Sequence, residues 1–241
     1  MSELALACPV WSAEQIYLHN LSAPIRDVMR FRLVYQGELS ASANKSKTPE
    51  VSRIRTKLSP QLEFLWQTHN ALQVLANTAF VENPEKPNTN VIIDGVTRSP
   101  REIAQRFPRN MISLCAPLQV GAANSYTPLI RKSLNLNCEL SVLFLRQEDP
   151  GMLVTQGGDL DGRIKTLLDA LRMPSKDEQQ IAPPPNAHEY CLMEQDALVS
   201  ALNVETDRLL FPATGKANEV CLVIEVSVVV LRVVPYNVCL V

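Results

Sequence analysis

Asn137–Arg146 reads NCELSVLFLR and Asp161–Met173 reads DGRIKTLLDALRM. The first alternates in part and has a strongly apolar middle, the pattern of a strand inside a sheet. In the second, Ile164, Leu167, Leu168 and Leu171 fall at i, i+3, i+4 and i+7 and lay one apolar stripe along a helix. Pro174 stops that helix. A buried strand followed by an amphipathic helix calls for a sheet with the helix packed on it.

The flanking segments extend the pattern. Residues 30–36 (RFRLVYQ) alternate polar and apolar, as a half-buried strand does. Leu198–Val204 and Val220–Val233 read as two more strands, joined through Pro212–Gly215. Ser59–Pro60 offers an N-cap followed by proline at the first helical position, so a helix is predicted over 60–80 with Leu62, Leu65, Trp66, Leu72 and Leu75 on its apolar side. Val91–Ile93 and Val96–Thr97 flank Asp94–Gly95 as a tight hairpin, and Ser99 caps a short helix. Gly37–Lys57, Asn83–Asn90 and Ser175–Glu189 are expected loops. Pro117, Gly121 and Pro128 break residues 110–134, which receive no element. The sum is an α+β fold, helices packed on a mixed β-sheet. Residues 1–28 are expected to be an extension before a domain that starts at Met29.

Composition narrows the function classes. Of 241 residues, 46% are hydrophobic and 20% charged, ordinary for a globular chain. A formal net charge of −2 and a pI near 6.0 argue against a protein that coats nucleic acid. They leave room for an enzyme that grips nucleic acid through one basic surface. No apolar run reaches the ~18 residues of a spanning helix, and the N-terminus lacks a basic leader, so a cytoplasmic location is expected. Six cysteines contain no CxxC pair and the three histidines are far apart, so neither a zinc site nor a disulfide framework is expected.

The densest chemical cluster is Gly157–Lys165, GGDLDGRIK. Asp159 and Asp161 stand two apart at the joint between a glycine loop and a helix. Hard divalent cations take oxygen ligands, and Mg²⁺ is held by one or two carboxylates with water and substrate phosphate. Lys165, four residues after Asp161, shares its helix face and suits a phosphate under attack. The bland alternative is equally concrete: aspartates at a helix start are caps, and Asp161–Lys165 is then a surface ion pair of ~0.3–0.5 kcal/mol. A third carboxylate favours the metal reading, and Glu194 and Asp196 are the candidates. Lys45, Lys47, Arg53, Arg55 and Lys57 read as a phosphate-binding arm or as a solvated loop. Arg163 beside the acid pair joins the candidate phosphate contacts.

ELSVLFLR, then GGDLDGRIKTLLDAL, then EQDALV together resemble the RusA family of Holliday-junction endonucleases of phages and bacteria. The family pattern is an apolar strand, a D-x-D step, a lysine four residues on, a helix with D-A-L, and a later aspartate before the next strand. Asp159, Asp161, Lys165, Asp169–Ala170–Leu171 and Asp196 fill it here. FRLVYQGELSASAN resembles the family's opening strand and P-P-S-x-N loop. Gly162 stands where the family usually has Asn.

The resemblance implies a domain over 29–241 with insertions at about 83–130 and 174–190. It also implies Mg²⁺, with Mn²⁺ as an alternative, on Asp159, Asp161 and Asp196, with Lys165 supporting catalysis. A homodimer acting on branched DNA in recombination and repair follows in the same way. Two other readings stay open. One is a RusA-like scaffold that binds DNA without cutting it, as a phage accessory protein. The other is an α+β protein whose acids are caps and surface pairs.

Overall fold

The structure is a computed structural model. It describes residues 25–40, 47–77, 80–82, 90–92, 111–112, 115–121, 124–147, 159–181, 184, 187–210, 218–233 and 237–241. In chain order the elements are β1 (Ile25–Glu38), α1 (Thr48–Thr68), α2 (Asn70–Asn77), β2 (Phe80–Glu82), β3 (Asn90–Ile92), β4 (Met111–Ile112), β5 (Leu118–Val120), β6 (Asn124–Ile130), β7 (Leu136–Arg146), α3 (Asp159–Leu171), α4 (Lys176–Ile181), β8 (His188–Met193), β9 (Val199–Arg208) and β10 (Glu219–Val230). Short 3-10 turns occupy Lys132–Leu134, Asp196–Leu198 and Val238–Leu240.

The main sheet has the order β1-β10-β7-β9. Its first two pairings are antiparallel and the β7–β9 pairing is parallel, so the sheet is mixed and the fold is α+β, as expected. A second sheet, β5-β6-β8, pairs β6 with β8 in parallel, and β3-β2-β4 forms a small antiparallel sheet.

Alternation decides what the main sheet buries. Leu136, Cys138, Leu140, Val142 and Phe144 of β7 point into the core, as do Val220, Leu222, Ile224 and Val226 of β10 and Leu33 and Tyr35 of β1. They join Val51, Ile54, Leu58 and Leu62 of α1 and Ile164, Leu167 and Leu171 of α3 in one cluster. Each such side chain contributes ~1.5–3 kcal/mol by leaving water. The row Arg32, Glu225, Ser141, Asn203 crosses the other face of the sheet, where Arg32, Ser141 and Asn203 are exposed.

The structure departs from the sequence reading at several elements. Part of the expected loop 37–57 is helical: α1 starts at Thr48 and ends at Thr68, not 60–80. Pro49 sits in its first turn, where a missing N–H costs nothing. Pro60 lies inside the helix, where the apolar stripe running on both sides outweighs one lost backbone bond. Ser59 is therefore no cap; it is buried, and its hydroxyl accepts the Tyr190 N–H at 2.9 Å.

The expected loop 175–189 contains α4, whose start is a reciprocal capping box. The Ser175 N–H donates to Glu178 at 2.7 Å, and the Glu178 N–H donates to the Ser175 hydroxyl at 3.2 Å. β1 opens at Ile25, ahead of the expected Met29. β3 pairs with β2, while Asp94–Thr97 and Ser99 lie outside the described residues. Cys115, Cys138, Cys191 and Cys221 are free thiols, and burial pushes Cys138 and Cys191 up to about 12.

Candidate functional site

α3 carries the acid pair at its start because Leu160, Ile164, Leu167 and Leu171 turn toward the core and leave the intervening polar residues outside. Asp159 and Asp161 fall in the first turn, where free backbone N–H groups and the positive helix end favour carboxylates. The backbone of Asp159 opens the helix; its side chain lies outside the described residues. Asp161 and Lys165 are both exposed. No hydrogen bond or ion pair engages either side chain among the described residues, so the surface pair offered by the bland reading is not made.

The polar residues around this pair are engaged. Arg163 is buried, and its guanidinium donates to the Leu39 carbonyl and, at 3.1 Å, to Asn218 Oδ1. Lys47 Nζ donates to the Gly162 carbonyl at 2.9 Å and to Thr166 Oγ1 at 2.8 Å. Arg55 is buried at the other end of α3, where Nε donates to the Arg172 carbonyl at 3.1 Å and Nη2 to the Asp169 carbonyl at 2.8 Å. Asp169 itself pairs with Arg172, which also meets Glu178.

These contacts correct the expected phosphate-binding arm. Arg55 and Arg163 are internal struts that satisfy backbone carbonyls, so they are not available to DNA. Lys47 is docked on α3. Arg53 pairs with Glu38 at 3.1 Å, and Lys57 donates to the Gln36 carbonyl at 2.9 Å while lying over the Tyr35 ring. Both remain at the surface. Lys45 lies outside the described residues. A guanidinium fork satisfies two carbonyls at once, and sequence alone does not separate this use from phosphate binding.

Asp196 is exposed on the turn Asp196–Leu198, which buried Leu198 anchors and which packs against α3. Glu194, the other candidate, is committed: its carboxylate accepts the Lys132 N–H at 3.2 Å and its own N–H donates to the Ile130 carbonyl. Asp196 carries no side-chain hydrogen bond or ion pair among the described residues.

Chain reach limits how the three aspartates can meet. The Met173 N–H donates to the Met193 carbonyl at 2.9 Å, so β8 ends beside the last turn of α3. From there Asp196 is three residues away, a span of at most about 10 Å. The helix rises about 16 Å between Arg172 and Asp161. Asp196 therefore approaches Asp161 only where residues 194–196 run back along α3. Among the described residues alone, no three His, Cys, Asp or Glu side chains are grouped to hold a metal ion. All three aspartates offer oxygen donors, the chemistry of Mg²⁺ or Mn²⁺.

Compared with models of known protein families, with curated proteins and with solved structures, the chain matches none. No helix among the described residues is long and apolar enough to cross a membrane.

Proposed function

We propose that this chain is a metal-dependent endodeoxyribonuclease of the RusA type that cuts branched DNA. One observation carries the reading. Asp161 and Lys165 lie four residues apart on one face of α3, both exposed, and neither is spent on the other or on any described neighbour. A carboxylate and an ammonium held in reach and left unpaired are available to a cation and a phosphate.

In this reading Asp159, Asp161 and Asp196 hold Mg²⁺ or Mn²⁺. Once bound, the ion orients and activates water and stabilises charge on the phosphate. Asp161 supplies a carboxylate oxygen from the helix start, where its charge is favoured. Lys165 places its ammonium against the phosphate and offsets the charge that builds as the bond breaks. A homodimer, which the sequence resemblance implies, would set two such sites on opposed strands of a four-way junction. A cytoplasmic location belongs to the same reading.

The test is nicking of a synthetic four-way junction against plain duplex, with Mg²⁺, beside the Asp161→Asn protein. Cleavage should vanish in the variant while junction binding survives. Equal cleavage by the variant would sink the site assignment. A second reading, a scaffold that binds DNA without cutting, draws on the internal use of Arg55 and Arg163, which reduces the expected basic surface. Binding without nicking in both Mg²⁺ and Mn²⁺ would favour it.

A further inference from the structure

The first turn of α3 is held from outside its own helix. The Gly162 carbonyl accepts the Thr166 hydroxyl at 2.8 Å, and the same carbonyl and hydroxyl both accept protons from Lys47 Nζ. Thr166 is fully buried, so the ammonium reaches past the surface to make this contact. Lys47 stands immediately before α1. Eight residues later on α1, Arg55 binds the Asp169 and Arg172 carbonyls at the far end of α3. The two helices therefore run the same way, and α1 grips α3 at both ends.

The two grips differ electrostatically. Arg55 sits where a cation belongs, at the negative end of a helix. Lys47 sits at the positive end, where a cation is disfavoured. Its placement there is offset by the Gly162 carbonyl and the Thr166 hydroxyl. Gly162, which Lys47 holds, directly follows Asp161. A hydrogen bond from a charged donor is among the stronger ones available to a protein, so this contact can fix the turn.

We infer that Lys47 is a positioning residue: it fixes the first turn of α3, the stretch of backbone that carries Asp159 and Asp161. This rests on the metal-site reading above for its purpose, and on the Lys47–Gly162–Thr166 contact for its physical content. Lys47 touches no reacting atom in this role, and it contributes no free cation to DNA.

The experiment compares the full-length wild type with Lys47→Met and Lys47→Arg. Hydrogen exchange of the Lys165 and Thr166 amides is read without metal, and Mn²⁺ binding is read by titration calorimetry. Lys47→Met should speed exchange at these amides and weaken Mn²⁺ binding about tenfold, the lower end for residues that orient ligands. Lys47→Arg, which keeps a charged donor, should restore both in large part.

Unchanged exchange in Lys47→Met overturns the inference. So does tighter Mn²⁺ binding in that variant, because Lys47 is then only a repelling charge. Wild type that fails to bind Mn²⁺ defeats the metal-site reading, and the exchange result alone then decides the role of Lys47. If Lys47→Met does not fold, Thr166→Val removes the other half of the contact and is read in the same way.

Discussion

The side-chain amide of Gln61 is paired with the backbone of Val34 as a neighbouring strand would be. Val34 N–H donates to Gln61 Oε1 at 2.9 Å, and Gln61 Nε2 donates to the Val34 carbonyl at 2.8 Å. Val34 lies on β1, an edge of the main sheet. Two residues on, Lys57 covers the Gln36 carbonyl. α1 thus occupies the hydrogen-bonding groups that would otherwise recruit another strand. Gln61→Ala should cost about 1 kcal/mol, since each exposed bond contributes ~0.5–1.5 kcal/mol and water replaces part of it. It should also raise concentration-dependent association, checked by thermal melts and sedimentation velocity. Unaltered association at high concentration would mean that the edge needs no cover.

Arg55 and Arg163 predict a different kind of loss. Both are buried and both donate to backbone carbonyls of other elements. Arg55→Met or Arg163→Met strands those acceptors and should cost about 3 kcal/mol each, the scale of losing charged hydrogen bonds and leaving a buried acceptor unpaired. Lys165→Met, at an exposed and unengaged position, should change stability by no more than about 0.5 kcal/mol. Urea unfolding of the three variants checks the contrast. A small loss for both arginine variants would return them to the list of candidate DNA contacts.

The same contrast explains how far the chain could be read without its structure. β7, β10 and α3 were legible because their periodicities of 2 and 3.6 are strong and uninterrupted. α1 was not, although Val51, Ile54, Leu58 and Leu62 carry its stripe. Four charged residues, Glu50, Arg53, Arg55 and Lys57, masked that stripe, and Ser59–Pro60 imitated a helix start. Thr48–Pro49–Glu50 held the true start signal, eleven residues earlier. β8 and α4 were hidden by the proline-rich setting of 175–189, even though Ser175 and Glu178 have capping-box spacing.

At the candidate site, Asp161, Lys165 and Asp196 were legible as residues to watch, and all three proved exposed. Contacts between distant segments were not legible. Lys47 and Thr166 are 119 residues apart in the chain. No local pattern links them, because tertiary packing alone creates the contact.

Glu189 gives a prediction in pH. Its side chain is 1% exposed, and Thr56 Oγ1 donates to Glu189 Oε1 at 2.8 Å. Burial raises its carboxyl above the ordinary value of 4.5, and the Thr56 bond and the charge of Arg55 only partly oppose this. Between 4.5 and the raised value the folded chain binds more protons than the unfolded one. The contribution of Glu189 to stability is therefore full below pH 4.5 and is lost as pH rises through the folded value.

Glu189→Gln keeps an acceptor for Thr56 and removes the titration. The variant should show a flatter stability profile just above pH 4.5, read by urea unfolding at stepped pH. At pH 7 it should fall within about 1 kcal/mol of wild type, because Arg55 keeps its two carbonyl partners. A loss near 3 kcal/mol at pH 7 would instead show that the buried Arg55 charge depends on an ionised Glu189.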